Sequence, residues 1–441
     1  MKRFVLFLAL AASLSLGVQA QTVLKSPREL VFENIERAGN TTHRYEALDT
    51  VDTPAPKGYT PFYISHIGRH GSRFQLNEKV YTKRLEKLAP YKDAGQLTET
   101  GLRLYYDIAK LLEVSEGNYG KLTAIGAQEH REISRRMYNR FPEVFNQGDR
   151  KKVETFSTTS GRVLESRRNF LEVLGQNAPG LEIEEYDAKG EYAGRKVSEI
   201  VSGRKVTDEE KARIEGLKRS IKYPENPCEP SWRRLAGLIF TNPDEISDRK
   251  VKSLMTDVAL ALQSAQCISD TLRGVKAYFT PDEIYSSWYR RNIGAYAGNW
   301  CINSYNKGIF VKRVIPILRN WIDMADEAVK GNGVAADLRF SHDVYVQPLL
   351  SLIGATGNSF ICAPEDIGDN YCCFTSISMG TNIQMIFYHK PGSKKVLVKI
   401  LHNEREVVIP SLKKTDGVYH DWNQLKAYLE KRINRLSAEK L

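Results

Sequence analysis

Apolar and polar residues follow one another along the chain in blocks that predict strands followed by helices. The apolar run at 61–64 predicts a strand, and residues 151–158 predict a second one. Apolar residues recur at helical spacing after each of them, from Leu102 and from Val163. This alternation of strand, loop and helix favours an α/β fold with a mostly parallel sheet flanked by helices.

Two of the predicted helices begin with the same short pattern. Leu97-Thr98-Glu99-Thr100-Gly101 and Leu122-Thr123-Ala124-Ile125-Gly126 each precede apolar residues at helical spacing. A threonine at the start of such a pattern is a residue that caps a helix N-terminus, so we expect Thr98 to do so. The two copies are too isolated to indicate a repeat protein.

The rest of the chain divides into a core and an insertion. Residues 21–60 are polar and broken by Pro54, Pro56 and Gly58, which predicts an extended lead-in. Residues 175–334 are helix-rich and interrupted by prolines, which predicts a mostly helical cap. Strand patterns resume after that, including a hairpin around Lys390-Pro391-Gly392, and 422–435 predicts a terminal helix. We therefore assign 21–174 and 335–441 to the α/β core.

The first twenty residues predict where the protein works. Lys2 and Arg3 precede a short apolar stretch that ends in the small-residue site Val18-Gln19-Ala20, as in a secretory signal peptide. We expect cleavage near Ala20 and a periplasmic or secreted protein. No later apolar run is long enough to span a bilayer, so stable membrane insertion is not expected.

Net charge and cysteine content limit which substrates, disulfides and metal sites are expected. The formal net charge is +11, which in an extracytoplasmic protein indicates a small anionic substrate or a solvated surface rather than nucleic acid. Six cysteines in an exported chain make disulfides plausible but allow fifteen pairings. They form no CxxC pattern, and no His/Cys/Asp cluster predicts a metal. No cofactor is expected, and the oligomeric state is left open.

The segment Arg69-His70-Gly71-Ser72-Arg73 is the strongest chemical signal in the chain. Arginine presents a rigid fork of donors that matches phosphate, and glycine lets the backbone approach a ligand closely. A histidine between two arginines has a ring nitrogen that can attack phosphorus. The alternative is a basic turn after a strand, with His70 packed or solvated.

Two further strand ends add polar groups to the same edge of the sheet. Arg162 follows the second strand, and His342-Asp343 follows the strand near 338–340. Together with the first segment they supply the positive charge, nucleophile and acid that phosphoryl transfer needs. Asp343 also fits a helix N-cap, as does Asp421 of the second His-Asp pair, which we interpret as structural. We interpret the other histidines as structural too, namely His43, His66, His130, His389 and His402.

These motifs, in this order, resemble the histidine acid phosphatases, the branch-2 histidine phosphatases. The resemblance rests on Arg69–Arg73, Leu122-Thr123-x-x-Gly126, Ser157–Arg162 with Ser166, and Ser341-His342-Asp343. It implies a phosphoglycerate-mutase-like core with an inserted helical domain, and a phosphomonoesterase that needs no metal. It further implies that His70 forms a phosphohistidine and that Asp343 protonates the leaving group. The phosphate ligands it implies are Arg69, Arg73, Arg162 and His342.

The chain departs from the family pattern at two places. Gln75 stands where the common pattern RHGxRxP has proline, and Asp343-Val344 stands where the multiple inositol polyphosphate phosphatases carry Ala-Glu. The lead-in 55–66 still resembles bacterial members of that branch. We expect inositol polyphosphates such as phytate, with a broad acid or sugar phosphatase as the alternative. Less favoured are a mutase or bisphosphatase of the cytosolic branch and a binding protein for phosphorylated ligands.

Overall fold

The computed structural model describes residues 25–47, 52–297, 301–303, 306–358, 366–412 and 417–439. Its strands are β1 Thr60–Arg69, β2 Lys152–Ser157, β3 Glu182–Asp187, β4 Glu191–Tyr192, β5 Arg195–Lys196, β6 Val334–Ser341, β7 Asn382–His389, β8 Leu397–His402, β9 Arg405–Val407 and β10 His420–Asp421. The central sheet has the order β10-β8-β7-β1-β6-β2-β3, with β9 beside β8. Strands β1, β6, β2 and β3 pair in parallel, whereas β7 to β10 pair antiparallel. Strands β4 and β5 form a separate hairpin.

The α-helices are α1 Pro27–Glu33, α2 Lys79–Asp93, α3 Glu99–Ser115, α4 Ala124–Arg140, α5 Pro142–Phe145, α6 Gly161–Asn177, α7 Val197–Ser202, α8 Asp208–Ser220, α9 Arg233–Ile239, α10 Asp248–Leu262, α11 Ala265–Ile268, α12 Pro281–Ala295, α13 Ile315–Lys330, α14 Asp343–Ile353, α15 Ile367–Asn370, α16 Cys373–Ile377 and α17 Trp422–Ala438. Thr98 and Thr123 cap α3 and α4 through their side chains. Asp421 accepts from the Gln424 N–H and caps α17. The predicted α/β fold, with parallel strands and flanking helices, is confirmed.

The two faces of the sheet pack against different helices. Successive side chains of a strand point to opposite faces, so Ile67 and Ile64 enter different clusters. Ile67 lies in the cluster with α13, α14 and α17, and Ile64 lies in the cluster with α4, α5 and α6. His66 is buried on the second face, with its ring against Phe170 and Phe340. The interpretation of His66 as a packed strand histidine therefore agrees with its surroundings.

A buried polar cluster joins β1 to β6 beneath the carboxyl ends of these strands. The Tyr63 and Ser65 hydroxyls of β1 both donate to Asp337 of β6, and Arg339 forms an ion pair with the same carboxylate. Asp337 and Arg339 are fully buried. A buried pair is costly unless its hydrogen bonds are satisfied, so these contacts favour one alignment of the two strands.

The range 175–334, predicted as a cap, contributes to both the helical layer and the sheet. Its helices α9, α10 and α12 form one apolar cluster together with α2 and α3, which precede residue 175. Within the same range, β3 joins the edge of the central sheet and α13 packs against β1 and β6. The boundaries 174/175 and 334/335 stay a prediction. β3 has no buried residue, and four of its six residues are acidic, as suits a strand at the edge of a sheet.

The sequence predicted an extended lead-in, but the structure has helices in this part of the chain. Helix α1 begins at Pro27, where Ser26 and Glu29 form a capping box, and a 3₁₀ helix covers Ile35–Thr42. Proline at the first helical position and Ser-x-x-Glu around it are signals for a helix start. The polar composition of the segment and the breaks at Pro54, Pro56 and Gly58 concealed this local signal.

The predicted disulfides are not found among the residues that the structure describes. Cys228, Cys267, Cys372 and Cys373 carry free thiols, and Cys267 and Cys373 are buried in packed surroundings. Adjacent Cys372 and Cys373 belong to the helical cluster, where apolar packing accommodates a thiol as a small hydrophobic group. Cys362 and the predicted signal peptide 1–20 lie outside the described residues. In those residues, no helix has the length and apolar content to cross a bilayer.

Candidate active site

The carboxyl ends of three parallel strands bring the predicted site residues together. Arg69 at the end of β1 is paired in register with Ser341 at the end of β6, and Ser157 of β2 is paired with Phe340. The His70 N–H donates to the Ser341 carbonyl at 3.1 Å, and the Gly380 N–H donates to the His70 carbonyl at 3.0 Å. The backbone of His70 is thus held on both sides by neighbouring strand ends.

The His70 side chain is oriented as a nucleophile requires. Its Nδ1 lies 2.8 Å from the Gly71 carbonyl oxygen, which can only accept, so Nδ1 carries the hydrogen. The other nitrogen, Nε2, therefore keeps its lone pair. Burial, and then the neighbouring Arg69, hold the pKa of His70 well below its usual 6.5. The ring is neutral at neutral pH, which is the form that attacks phosphorus.

Three arginines, Arg69, Arg73 and Arg162, cluster at the site of His70 and His342. Burial lowers the pKa of Arg73 to about 10 and also lowers the pKa of Arg162, and in both cases Arg69 is the next cause. The three guanidinium groups are therefore close enough to repel one another. Within the described residues, the buried Nε atoms of all three have no hydrogen-bond partner. Buried donors in native proteins are normally satisfied, so this site is built for an anion with several acceptor oxygens.

His342 lies directly after β6, at the N-cap position of α14. Its ring is 5.5 Å from that of His70, and its Nε2 is 3.3 Å from the Thr158 hydroxyl. Burial, followed by the charge of Arg162, lowers the pKa of His342 to about 4. The ring is neutral and is placed to make a hydrogen bond to a bound oxygen beside His70.

Asp343 supplies the carboxyl group of the site. It is the first residue of α14, so the cap position belongs to His342 and the N-cap interpretation of Asp343 is wrong. Its Oδ2 is 3.4 Å from Nη2 of Arg69, and its Oδ1 accepts from the Val344 N–H at 2.9 Å. The side chain is 19% exposed, which leaves it accessible to a substrate above the arginines.

Two glycines allow α4 to touch the loop after β1. A Cβ on Gly71 would lie 2.3 Å from the Gly126 carbonyl oxygen, and one on Gly126 would lie 2.1 Å from the Ser72 carbonyl oxygen. Both distances are impossible for real side chains, so the backbones meet only because both residues are glycine. Thr123 strengthens this contact, because its N–H donates to the Ser72 carbonyl at 2.9 Å. The repeated Leu-Thr-x-x-Gly pattern therefore has a role beyond capping in its second copy.

Several groups in contact with the site were not singled out as such from the sequence. Ser166 accepts from the Gly71 N–H at 3.1 Å, and Thr158 contacts His342. The Nε2 atom of His130, a residue interpreted as structural from the sequence, lies 3.1 Å from the Arg69 carbonyl oxygen. Gln75 accepts from the Gly120 N–H at 2.8 Å, so the segment after Arg73 follows 120–122 without the family's proline. Helical spacing from Gly126 was the available signal for His130, because residues i and i+4 share a helix face.

Comparison with known proteins places the chain in a family. The model of the histidine phosphatase superfamily (branch 2) matches residues 65–403. The multiple inositol polyphosphate phosphatase of Bifidobacterium longum, solved with phosphate, superposes with a TM-score of 0.73 at 17% identity, over 89% of this chain and 97% of its own. The complex of the same enzyme with inositol hexasulfate superposes with a TM-score of 0.70 at the same identity and coverage. The phytase from D. castellii superposes with a TM-score of 0.63 at 16% identity, over 95% of this chain and 90% of its own. A search of curated proteins found no match.

These structural likenesses establish a shared fold, and the family match adds the chemistry. It spans most of the chain and includes every strand end that contributes to the site, from Arg69 to Asp343. The match confirms both the predicted family and the predicted enzyme class, a phosphoric monoester hydrolase. This chain belongs to the histidine phosphatase superfamily, branch 2.

Proposed function

We propose that the protein is an extracytoplasmic phosphomonoesterase that works through a phosphohistidine on His70. The observation that carries this proposal is a buried, neutral His70 whose Nε2 is free, beside three arginines and the carboxyl group of Asp343. A group poised to attack, fixed positive charge and a separate acid are the parts that phosphoryl transfer needs. The extracytoplasmic location rests on the signal-peptide pattern of residues 1–20.

In the first step, Nε2 of His70 attacks phosphorus and forms the P–N bond while the P–O bond to the alcohol breaks. The leaving oxygen takes a proton from the Asp343 carboxyl group, so the alcohol departs neutral and Asp343 becomes a carboxylate. Arg69, Arg73 and Arg162 hold the non-bridging oxygens of the phosphoryl group during the transfer. His342 donates a hydrogen bond to an oxygen of the same phosphoryl group.

In the second step, water attacks the phosphohistidine. The Asp343 carboxylate accepts a proton from this water as the new P–O bond forms and the P–N bond breaks. Orthophosphate is released, His70 returns to its neutral form and Asp343 is protonated again. The Nδ1–Gly71 hydrogen bond at 2.8 Å keeps the same ring nitrogen facing phosphorus through both steps.

Inositol polyphosphates are the substrates we propose within this class. A groove of about 400 Å³, which Arg313 connects to the neighbourhood of Asp343, includes four basic residues, Lys205, Lys211, Lys218 and Arg313. The Arg313 guanidinium lies 4.4 Å over the ring of Tyr345, two residues beyond Asp343. Lys211 and Lys218 already pair with Asp208 and Glu215, so the charge available to further phosphates comes chiefly from Lys205 and Arg313. The complex of the B. longum enzyme with inositol hexasulfate supports the same substrate class.

The test is phosphate release from phytate, glucose 1-phosphate and p-nitrophenyl phosphate by the wild type and by His70→Ala. We expect turnover and an acid-labile, base-stable phosphoenzyme in the wild type and neither in His70→Ala. His389→Ala is the matched control, since His389 is an exposed histidine at the end of β7 and should keep full activity.

Each outcome of this test has a distinct meaning. Phytate turnover no faster than glucose 1-phosphate turnover would contradict the inositol specificity and indicate a broad phosphatase. Saturable retention of substrate without phosphate release would overturn the enzyme and indicate a binding protein. The mass of the exported chain, which should begin at Gln21, tests the predicted location.

A further inference from the structure

Two buried titratable side chains of α4 lie beneath the His70 loop, and the proposed reaction uses neither. They are the consecutive residues Glu129 and His130, which are 8% and 1% exposed. They follow Gly126, the glycine at which α4 touches the loop, by about one helical turn. Each of them contacts the main chain next to His70, one before it in the sequence and the other after it.

His130 holds the residue before the nucleophile. Its Nε2 is 3.1 Å from the Arg69 carbonyl oxygen, which can only accept, so Nε2 carries the hydrogen and donates. Burial lowers the pKa of His130 to about 4, so the ring makes this contact as a neutral donor. The bond fixes the last peptide of β1, from which the Arg69 side chain enters the site.

Glu129 holds the loop two residues after the nucleophile. Its Oε2 accepts from the Ser72 N–H at 2.6 Å, and its Oε1 accepts from the Ser72 hydroxyl at 2.7 Å and from the Tyr45 N–H at 2.9 Å. All three partners act as donors here, so the carboxylate satisfies each of them as an acceptor. Replacement by an amide would place an N–H group against at least one of these donors.

We propose that Glu129 and His130 are positioning residues that clamp the main chain on both sides of His70. The clamp sets the direction of His70 Nε2 and of the arginines relative to the phosphorus atom. Reactive geometry has a tolerance well below 1 Å, so a small shift of residues 69–72 slows attack without removing any group that contacts substrate. This inference rests on the proposed phosphohistidine mechanism and adds the residues that orient it.

The test is rapid-quench measurement of phosphoenzyme formation in Glu129→Gln. We expect the rate constant of phosphorylation to fall about 10- to 100-fold while the fraction of protein that is folded and binds inorganic phosphate stays complete. The loss should be the same for p-nitrophenyl phosphate and for alkyl phosphates, because the clamp orients the nucleophile and not the acid. Glu132→Gln is the matched control, since Glu132 is on the same helix but contacts Gln128 and Arg135.

Two further variants test each side of the clamp. His130→Gln keeps a donor near the Arg69 carbonyl and should retain more of the rate than His130→Leu, which has none. Ser72→Ala removes one of the three bonds to Glu129 and decides the question if Glu129→Gln does not fold. We expect its phosphorylation rate constant to fall several-fold.

The outcomes separate this inference from the function on which it rests. A smaller fraction of folded, phosphate-binding protein with an unchanged rate constant would show that these residues only support folding, and it would overturn the positioning role. An unchanged rate in both Glu129→Gln and Ser72→Ala would do the same. If the wild type itself forms no phosphohistidine, the proposed function fails and not merely the clamp.

Discussion

Gly126→Ala places one methyl group at the point where α4 touches the loop that carries His70. The added Cβ would lie 2.1 Å from the Ser72 carbonyl oxygen and 2.6 Å from its nitrogen. Ordinary van der Waals contact begins at 3.4 Å, so helix and loop must separate by about 1 Å to admit the methyl group. Both atoms belong to the backbone, so no side-chain rotation relieves the clash.

The structure sets the expected size of two effects. Overpacking of this kind lowers the free energy of unfolding by about 1–3 kcal/mol. Alanine has a better helix propensity than glycine, which offsets up to about 1 kcal/mol of this loss. A displacement of about 1 Å at the nucleophile lowers kcat about 100-fold. Activity should therefore fall much further than stability, because Gly126 contacts the loop that orients His70 rather than the main apolar core.

The assay compares kcat on p-nitrophenyl phosphate with the thermal midpoint of unfolding for the same preparation. Gly175→Ala is the control, because Gly175 also lies within a 17-residue helix, α6, but its Cβ would meet only the Ile183 Cδ1 at 4.0 Å. We expect that variant to keep its activity and to gain slightly in stability. Wild-type kcat in Gly126→Ala would refute the reasoning, because it would mean that the loop tolerates the displacement.

The remaining predictions concern protonation. Asp343→Asn should slow turnover of alkyl phosphates at least 10-fold more than turnover of p-nitrophenyl phosphate, since nitrophenolate needs little protonation to leave; equal losses on both substrates would count against Asp343 as the acid. A depressed pKa keeps His70 neutral into mild acid, so the acidic fall of kcat/KM, which reports the free enzyme, should begin below pH 6.5. If the wild-type kcat/KM already falls at about pH 7 as the pH is lowered, that result would contradict the neutral, buried His70.

Local sequence signals predicted the elements that carry the site. The strand before Arg69, the capped helices α3 and α4, and the hairpin of β7 and β8 follow from residue periodicity and turn residues within a few positions. The same kind of signal was missed at Ser26 and Glu29, where the composition of the surrounding segment suggested an extended chain. The motifs around His70 and Asp343 also indicated the family before any contact between them was known.

Contacts between distant parts of the chain decided how these strands and helices bring the site residues together. Arg69 and Asp343 lie 3.4 Å apart only because β1 and β6 pair in parallel, with Arg69 in register with Ser341. The reciprocal contact of Gly71 and Gly126 depends on where α4 packs on the sheet. From the sequence, Gly126 reads as part of a helix start and His130 as a structural histidine.

The sequence by itself determined the strands and helices that carry the site, the chemical groups available and the family. Those properties depend on interactions between residues close in the chain, or on the residue types alone. Tertiary structure decided which groups face phosphorus, which arginine Nε atoms are buried without a hydrogen-bond partner among the described residues, and that Glu129 and His130 hold the loop. Such facts depend on strand register and helix packing, since a shift of one residue along a strand turns every side chain to the opposite face.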